Sequence, residues 1–222
     1  MANDKKDADS VVVIGLGRFG GTVAESLSKL GHEVLGIDAN MKIVQDYADK
    51  LTHVVQADST DEAALRQLGV DTFGRAVVGI GTHIEASVLT VVAVSELGVK
   101  QIWAKAISAK HAKILKAVGA HHVIRPEFEM GDRVAHLITS KMIDFIKFED
   151  GFAIAKVCVP REAAGKSLAE AHLRRQYGVT VVGVKEHGKD FTNAVPETVV
   201  PEGALLVISG TVEQVQRFAA IT

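Results

Sequence analysis

The sequence has a single cysteine, Cys158, and four prolines in 222 residues. One cysteine excludes a disulfide framework within the chain and a zinc site built of cysteines. A basic excess is also missing: 25 Lys and Arg stand against 27 Asp and Glu, for a net charge of -2. The basic residues are not clustered, so the footprint of a nucleic-acid binder is absent. No apolar run approaches the roughly 18 residues of a membrane span. The opening MANDKKDADS is polar and charged and has no apolar signal region behind it. These absences predict a cytoplasmic protein whose residues 1–10 form a disordered tail. Any action at a membrane would need a separate partner.

What is present is an ordinary globular composition, 47% hydrophobic and 23% charged. The length allows one large domain or two small ones. Residues 11–38, VVVIGLGRFGGTVAESLSKLGHEVLGID, read as strand, glycine turn, helix and strand. Val11 to Ile14 suit a strand buried on both faces. Gly15, Gly17 and Gly20 fit G-x-G-x-x-G, with Arg18 and Phe19 as the x-x pair. The three glycines serve a tight turn, close approach of backbone to phosphate, and close packing of helix on strand. The helix, about Arg18 to Leu30, stops at Gly31. Asp38 ends the second strand, about 20 residues on, where a carboxylate can accept from ribose hydroxyls. A βα turn that binds nothing is the plainer alternative.

The alternation continues. Helices are expected over 41–50, 61–68, 84–97 and 108–118, and strands over 53–57, 75–80, 101–106 and 122–125. Thr60 is the expected cap of the helix from Asp61. Repeated βα units with short connections predict a Rossmann-like, doubly wound parallel sheet over 11–128. Pro126 starts something different, a single long helix from Glu127 to about Ile146, read as a connector over 129–147. Residues 148–222 form a smaller α+β unit, entered through a turn at 148–151. Strands are expected at 152–159 and 204–209, a helix at 167–175, a hairpin around His187-Gly188, and a last helix at 212–220. Cys158, in an apolar strand, reads as a small core residue.

Taken in order, GLGRFGG, GID, QADSTDE, VGIGTHIEAS, IWAKAIS and RPEFEMG resemble the N-terminal half of bacterial RCK proteins. GKSLAEAHLRRQYGVTVVGVKEHG and PEGALLVISG are similar to the small RCK C-terminal subdomain. RCK proteins are the cytosolic regulatory subunits of Trk/Ktr-type potassium transporters, and the length suits the single-RCK type. The resemblance implies a homo-oligomer built from dimers, an octameric ring docked on a membrane potassium channel subunit. It implies that bound nucleotide sets the ring's shape and the channel's opening. ATP and ADP are the usual pair in the Ktr type, and NADH and NAD in the Trk type.

The site follows from both arguments. Arg18 stands at a helix N-terminus, where the dipole and free N–H groups favour an anion. An added guanidinium suits ATP or ADP better than a bridging pyrophosphate. Asp38, Ala39 and Asn40 end strand two beside a ribose, and the Asp38 charge disfavours NADP. Asp58 and Ser59 end strand three, where an adenine edge would lie. Ile80, Gly81 and Thr82 end strand four beside the same crevice. Lys105 ends strand five and could reach phosphate as a point charge. His111 is either near the nucleotide, as the family implies, or a solvated helix histidine. Glu127 is either a dipole partner or, as in Ktr relatives, near the phosphates and a divalent cation; Mg²⁺ suits such a carboxylate.

Arg174 aligns with an arginine that binds cyclic di-AMP in some relatives, but Leu168-Ala169 stand where larger paired aliphatics occur. Gly165-Lys166-Ser167 is no P-loop, because Pro160 occupies the place of its first glycine. His121-His122 reads as a strand entry, and no H-E-x-x-H occurs. No catalytic constellation is evident in the small unit, so an enzyme is not expected. An NAD-dependent oxidoreductase and a free-standing nucleotide or second-messenger sensor are the alternatives to a transporter subunit.

Overall fold

The computed structural model describes residues 10–148 and 150–222. The expected tail thus lies outside the described residues except for Ser10, which opens the first strand, and so does Glu149 of the expected boundary turn. The chain divides between Glu127 and Phe128 into two compact units.

In the first unit strands and helices alternate: β1 Ser10–Ile14, α1 Arg18–Lys29, β2 Glu33–Asp38, α2 Met41–Tyr47, β3 His53–Gln56, α3 Glu62–Gln67, β4 Arg75–Val78, α4 Ile84–Glu96, β5 Gln101–Lys105, α5 Ala109–Ala117 and β6 His122–Ile124. All six strands are parallel, in the order β3-β2-β1-β4-β5-β6. The order reverses between β1 and β4, which makes their C-terminal ends the switch point of the sheet. Strand β1 explains the two layers. Val11 and Val13 pack to one side with Ala24 of α1 and Leu51. Val12 and Ile14 pack to the other with Leu65, Val91 and Leu115 of α3, α4 and α5. Each such buried Val or Ile contributes about 1.5–3 kcal/mol.

Helix α6, Pro126–Thr139, begins in the first unit and runs into the second. It is shorter than expected. The Ser140 hydroxyl donates to the His136 carbonyl and accepts from the Met142 N–H, and the chain turns there. Residues Asp144–Lys147 form strand β7, antiparallel to β8, Phe152–Cys158. Phe145 is buried while Ile146 is exposed. Met142 and Ile146 satisfy a helical spacing, but the pairing of 144–147 with β8 decides for the strand.

The second unit continues with α7 Leu168–Ala171, α8 Leu173–Tyr177, β9 Thr180–Lys185, β10 Phe191–Asn193, β11 Leu205–Thr211 and α9 Val212–Ala220. Its sheet is antiparallel, in the order β10-β9-β11-β8-β7. Phe145, Val157, Leu206, Ile208, Val215 and Phe218 centre its core. The expected single helix over 167–175 is two, because His172 takes a left-handed φ of 49°. Cys158 ends β8 exposed, so it is not the core residue expected.

Candidate functional site

The site is assembled from the strand ends of the first unit. The turn after β1 is tied down by backbone: Gly15 N–H donates to the Ile37 carbonyl at 2.7 Å, and Gly79 N–H to the Ile14 carbonyl at 2.7 Å. Gly15 has φ +85°, and a Cβ at Gly20 would stand 1.9 Å from the Gly15 carbonyl oxygen. These two glycines are therefore demanded by packing. Gly17 differs: a Cβ there would meet nothing within 4 Å, so its surface is open.

Gly17 is also the N-cap of α1, and no side chain caps that helix. Helix α4 likewise starts at His83 without a side-chain cap. Helices α2, α3 and α5 are capped by Asn40, Asp61 and Ser108. The two uncapped starts follow β1 and β4, the strands at the switch point. Free first-turn N–H groups at such a place form an anion site.

Four side chains close on it. The Lys105 ammonium lies 2.6 Å from Glu127 Oε1 and 5.7 Å from the centre of the Phe19 ring in the first turn of α1. The stem of Lys105 runs along Gly81, whose Cβ position is 3.4 Å from Lys105 Cε. The Lys105 hydrogen bond is the main cause that holds the Glu127 carboxyl below its ordinary range, and the Arg18 charge adds to it. Arg18, Phe19, Gly81, Lys105 and Glu127 thus form one cluster at the start of α1. The pair is polarised by exposure: the Lys105 side chain is 13% exposed and that of Glu127 67%.

The ribose end is partly committed to structure. Asp38 Oδ2 accepts from the Leu16 N–H at 2.8 Å, and Oδ1 from the Asn40 N–H at 2.8 Å. Each oxygen keeps a further lone pair for a hydroxyl. The Asn40 side chain caps α2 by accepting from the Lys42 N–H. Ala39 offers its carbonyl to the Gln56 amide at 2.9 Å. Asp58 accepts from both the N–H and the hydroxyl of Thr60, and these bonds hold its carboxyl below its ordinary range. Thr60 is thus occupied by Asp58, and Asp61 caps α3 instead. Ser59 is buried, and its hydroxyl shares a 2.8 Å hydrogen bond with Thr90 of α4, so the side chain faces the helix layer. Ile80, Gly81 and Thr82 form the loop after β4, and Thr82 is exposed.

His111 is 1% exposed, which corrects the alternative of a solvated helix histidine. Among the described residues no group of three or more His, Cys, Asp or Glu could hold a metal. Arg174 lies exposed on α8 in the second unit. Sequence reasoning missed Gly79, where a Cβ would stand 2.7 Å from the Gly15 carbonyl oxygen, and Gln56, the partner of Ala39. The G-x-G of 79–81 at a strand end was the available signal for Gly79.

The chain matches the model of the TrkA-N domain over residues 11–126 and that of the TrkA-C domain over 154–222. Ktr system potassium uptake protein A of Bacillus subtilis (strain 168) is 37% identical over 207 residues, covering 93% of each chain. Ktr system potassium uptake protein C of the same organism is 34% identical over 207 residues, covering 93% of this chain and 94% of that one. A solved structure described as the GsuK channel bound to NAD superposes with a TM-score of 0.66 at 22% identity. It covers 92% of this chain, which spans 38% of that longer chain, and this likeness is one of fold.

Proposed function

Because the chain belongs to the TrkA-N/TrkA-C family of RCK regulatory subunits, homologous to those of Ktr and Trk potassium-uptake systems, we propose that it is a regulatory subunit that reads a nucleotide at the start of α1 and passes the result to a separate membrane potassium channel. The observation that carries this reading is the uncapped start of α1 at Gly17, flanked by Arg18, Lys105 and Glu127. Phosphate oxygens would accept from the first-turn N–H groups and from Lys105. That ammonium has two donors left beside Glu127. The Asp38 lone pairs would take ribose hydroxyls.

The extra charge of Arg18 favours ATP or ADP, with NAD or NADH as the alternative that the GsuK likeness keeps in view. Glu127 is a lone carboxylate, so Mg²⁺ would need phosphate oxygens and water to complete its shell. Regulation needs no chemistry: nucleotides that bind two conformations unequally shift the population between them. Self-association into a dimer and a ring, peripheral cytoplasmic placement through the channel, and cyclic di-AMP at Arg174 belong to the same proposal, and kinship with the Ktr subunits is what supports them. None of the helices among the described residues is long and apolar enough to cross a membrane.

Calorimetric titration of nucleotide-free protein with ATP, ADP, NADH and NAD, with and without Mg²⁺, tests the site. Binding of ATP or ADP that weakens in Arg18→Ala and Asp38→Ala supports it. Affinity untouched by both variants places the nucleotide elsewhere, and preference for NADH or NAD moves the protein toward the Trk type.

A further inference from the structure

His111 is a buried titratable group for which the nucleotide site, as drawn, has no use. It stands in the first turn of α5, where its backbone N–H is capped by Ser108 Oγ at 3.1 Å. Its Nδ1 accepts from the Ile107 N–H at 3.4 Å. Its Nε2 is buried and has no hydrogen-bond partner among the described residues. An acceptor at Nδ1 means that the proton of the neutral ring sits on Nε2.

The turn that His111 holds is part of the site. Lys105 ends β5, Ser108 caps α5, and Ile107 lies between them. Ile107 and Lys105 both border Gly81: a Cβ added there would stand 3.3 Å from Ile107 Cγ2 and 3.4 Å from Lys105 Cε. Lys105 carries the bond to Glu127. The Ile107 N–H bond is therefore the link by which His111 bears on the phosphate end.

We propose that His111 is a positioning residue of the nucleotide site and makes its hold on phosphate proton-dependent: the neutral ring anchors the Ile107 peptide and with it Lys105, and a proton on Nδ1 breaks that anchor. A doubly protonated ring has two donors and no acceptor, so the Ile107 N–H would face an N–H. The burial that hides the ring also disfavours its charge, and burial is the only cause of its lowered proton affinity. The ionisable groups on its own helix (Lys110, Lys113, Lys116), on α4 (Glu85, Glu96) and on β5 and β6 (Lys105, His122) contribute no compensating charge. The neutral ring therefore prevails at neutral pH, and the proton takes effect only on acidification.

This inference rests on the nucleotide reading, and the experiment separates the two. Affinity for ADP is measured by calorimetry from about pH 8 down to about pH 5.5 in the wild type and in His111→Asn. Asn places an acceptor near Nδ1 and cannot take the proton. The titration of ADP's own phosphate is common to both proteins and cancels in their ratio. The wild type is expected to lose about tenfold in affinity relative to the variant across that range. Parallel profiles overturn the role of His111 while the nucleotide site stands. Absence of ADP, ATP and NAD binding in the wild type at about pH 8 overturns both. Should the variant fail to fold, the wild type labelled with ¹⁵N-isoleucine decides. The Ile107 amide signal must titrate with the midpoint of the affinity curve, and a pH-independent signal overturns the proposal.

Discussion

Two helices of the second unit and two of the first begin in opposite ways. In the second unit α7 and α9 close their own first turns with capping boxes: Ser167 and Glu170 exchange hydrogen bonds with each other's backbone, and so do Thr211 and Gln214. In the first unit α1 and α4 begin on Gly17 and His83, with no side-chain cap. The backbone ends are chemically alike, each with N–H groups that the helix cannot use. A serine or threonine three residues before Glu or Gln makes such an end a piece of architecture. A glycine at the switch point of a parallel sheet leaves it available to an anion. What separates a scaffold from a binding site here is a side chain of a few atoms.

The largest effect is expected where a glycine is demanded by packing. Gly20→Ala sets a methyl 1.9 Å from the Gly15 carbonyl oxygen. It should cost about 3 kcal/mol of stability, seen in thermal unfolding, and abolish nucleotide binding; a wild-type Tm would mean that the turn is not packed as described. Gly17→Ser meets no steric obstacle. It gives α1 the cap it lacks, so stability should change by only a few tenths of a kcal/mol. The serine hydroxyl then competes with phosphate for the first-turn donors, and affinity should fall about tenfold. Unchanged affinity in that variant would show that the open start of α1 is not the anion site. Thr211→Ala is the counterpart in the second unit. It should cost about 1 kcal/mol and leave nucleotide affinity alone, and a shifted affinity would show that this cap feeds the site.

Much of the first unit was legible because its signals are local. Gly15, Gly17, Gly20 and Asp38 declare a strand, a turn and a second strand within a single βαβ unit, whereas the reversal that sets β4 beside β1 is seen only in the folded sheet. The gathering of Arg18, Lys105 and Glu127 was expected only through strand ends and kinship; the Lys105–Glu127 bond is a tertiary fact that spacing does not carry. Other features are decided by contacts that the sequence does not display. Thr60 and Asp61 are both good caps, and the bond of Thr60 to Asp58 settled the choice. His111 is followed by Lys113 and Lys116 and so reads as surface, yet its position in the first turn of α5 turns it into the interior. The period of 137–146 fits a helix as well as a helix and a strand, and β8 arbitrates. The break at His172 carries none of the usual marks, since neither glycine nor proline is there.

Helix α6 has a practical consequence for dissecting the chain. The units part between Glu127 and Phe128, inside a helix of 14 residues. A fragment that ends at that divide keeps Pro126 and Glu127 but loses the rest of the helix that orients them. A stump so short cannot hold a helical turn by itself. Glu127 would then meet Lys105 as a frayed chain end, and such a fragment would misreport affinity while its Rossmann core remained folded. A faithful excision of the first unit has to carry α6 through Thr139.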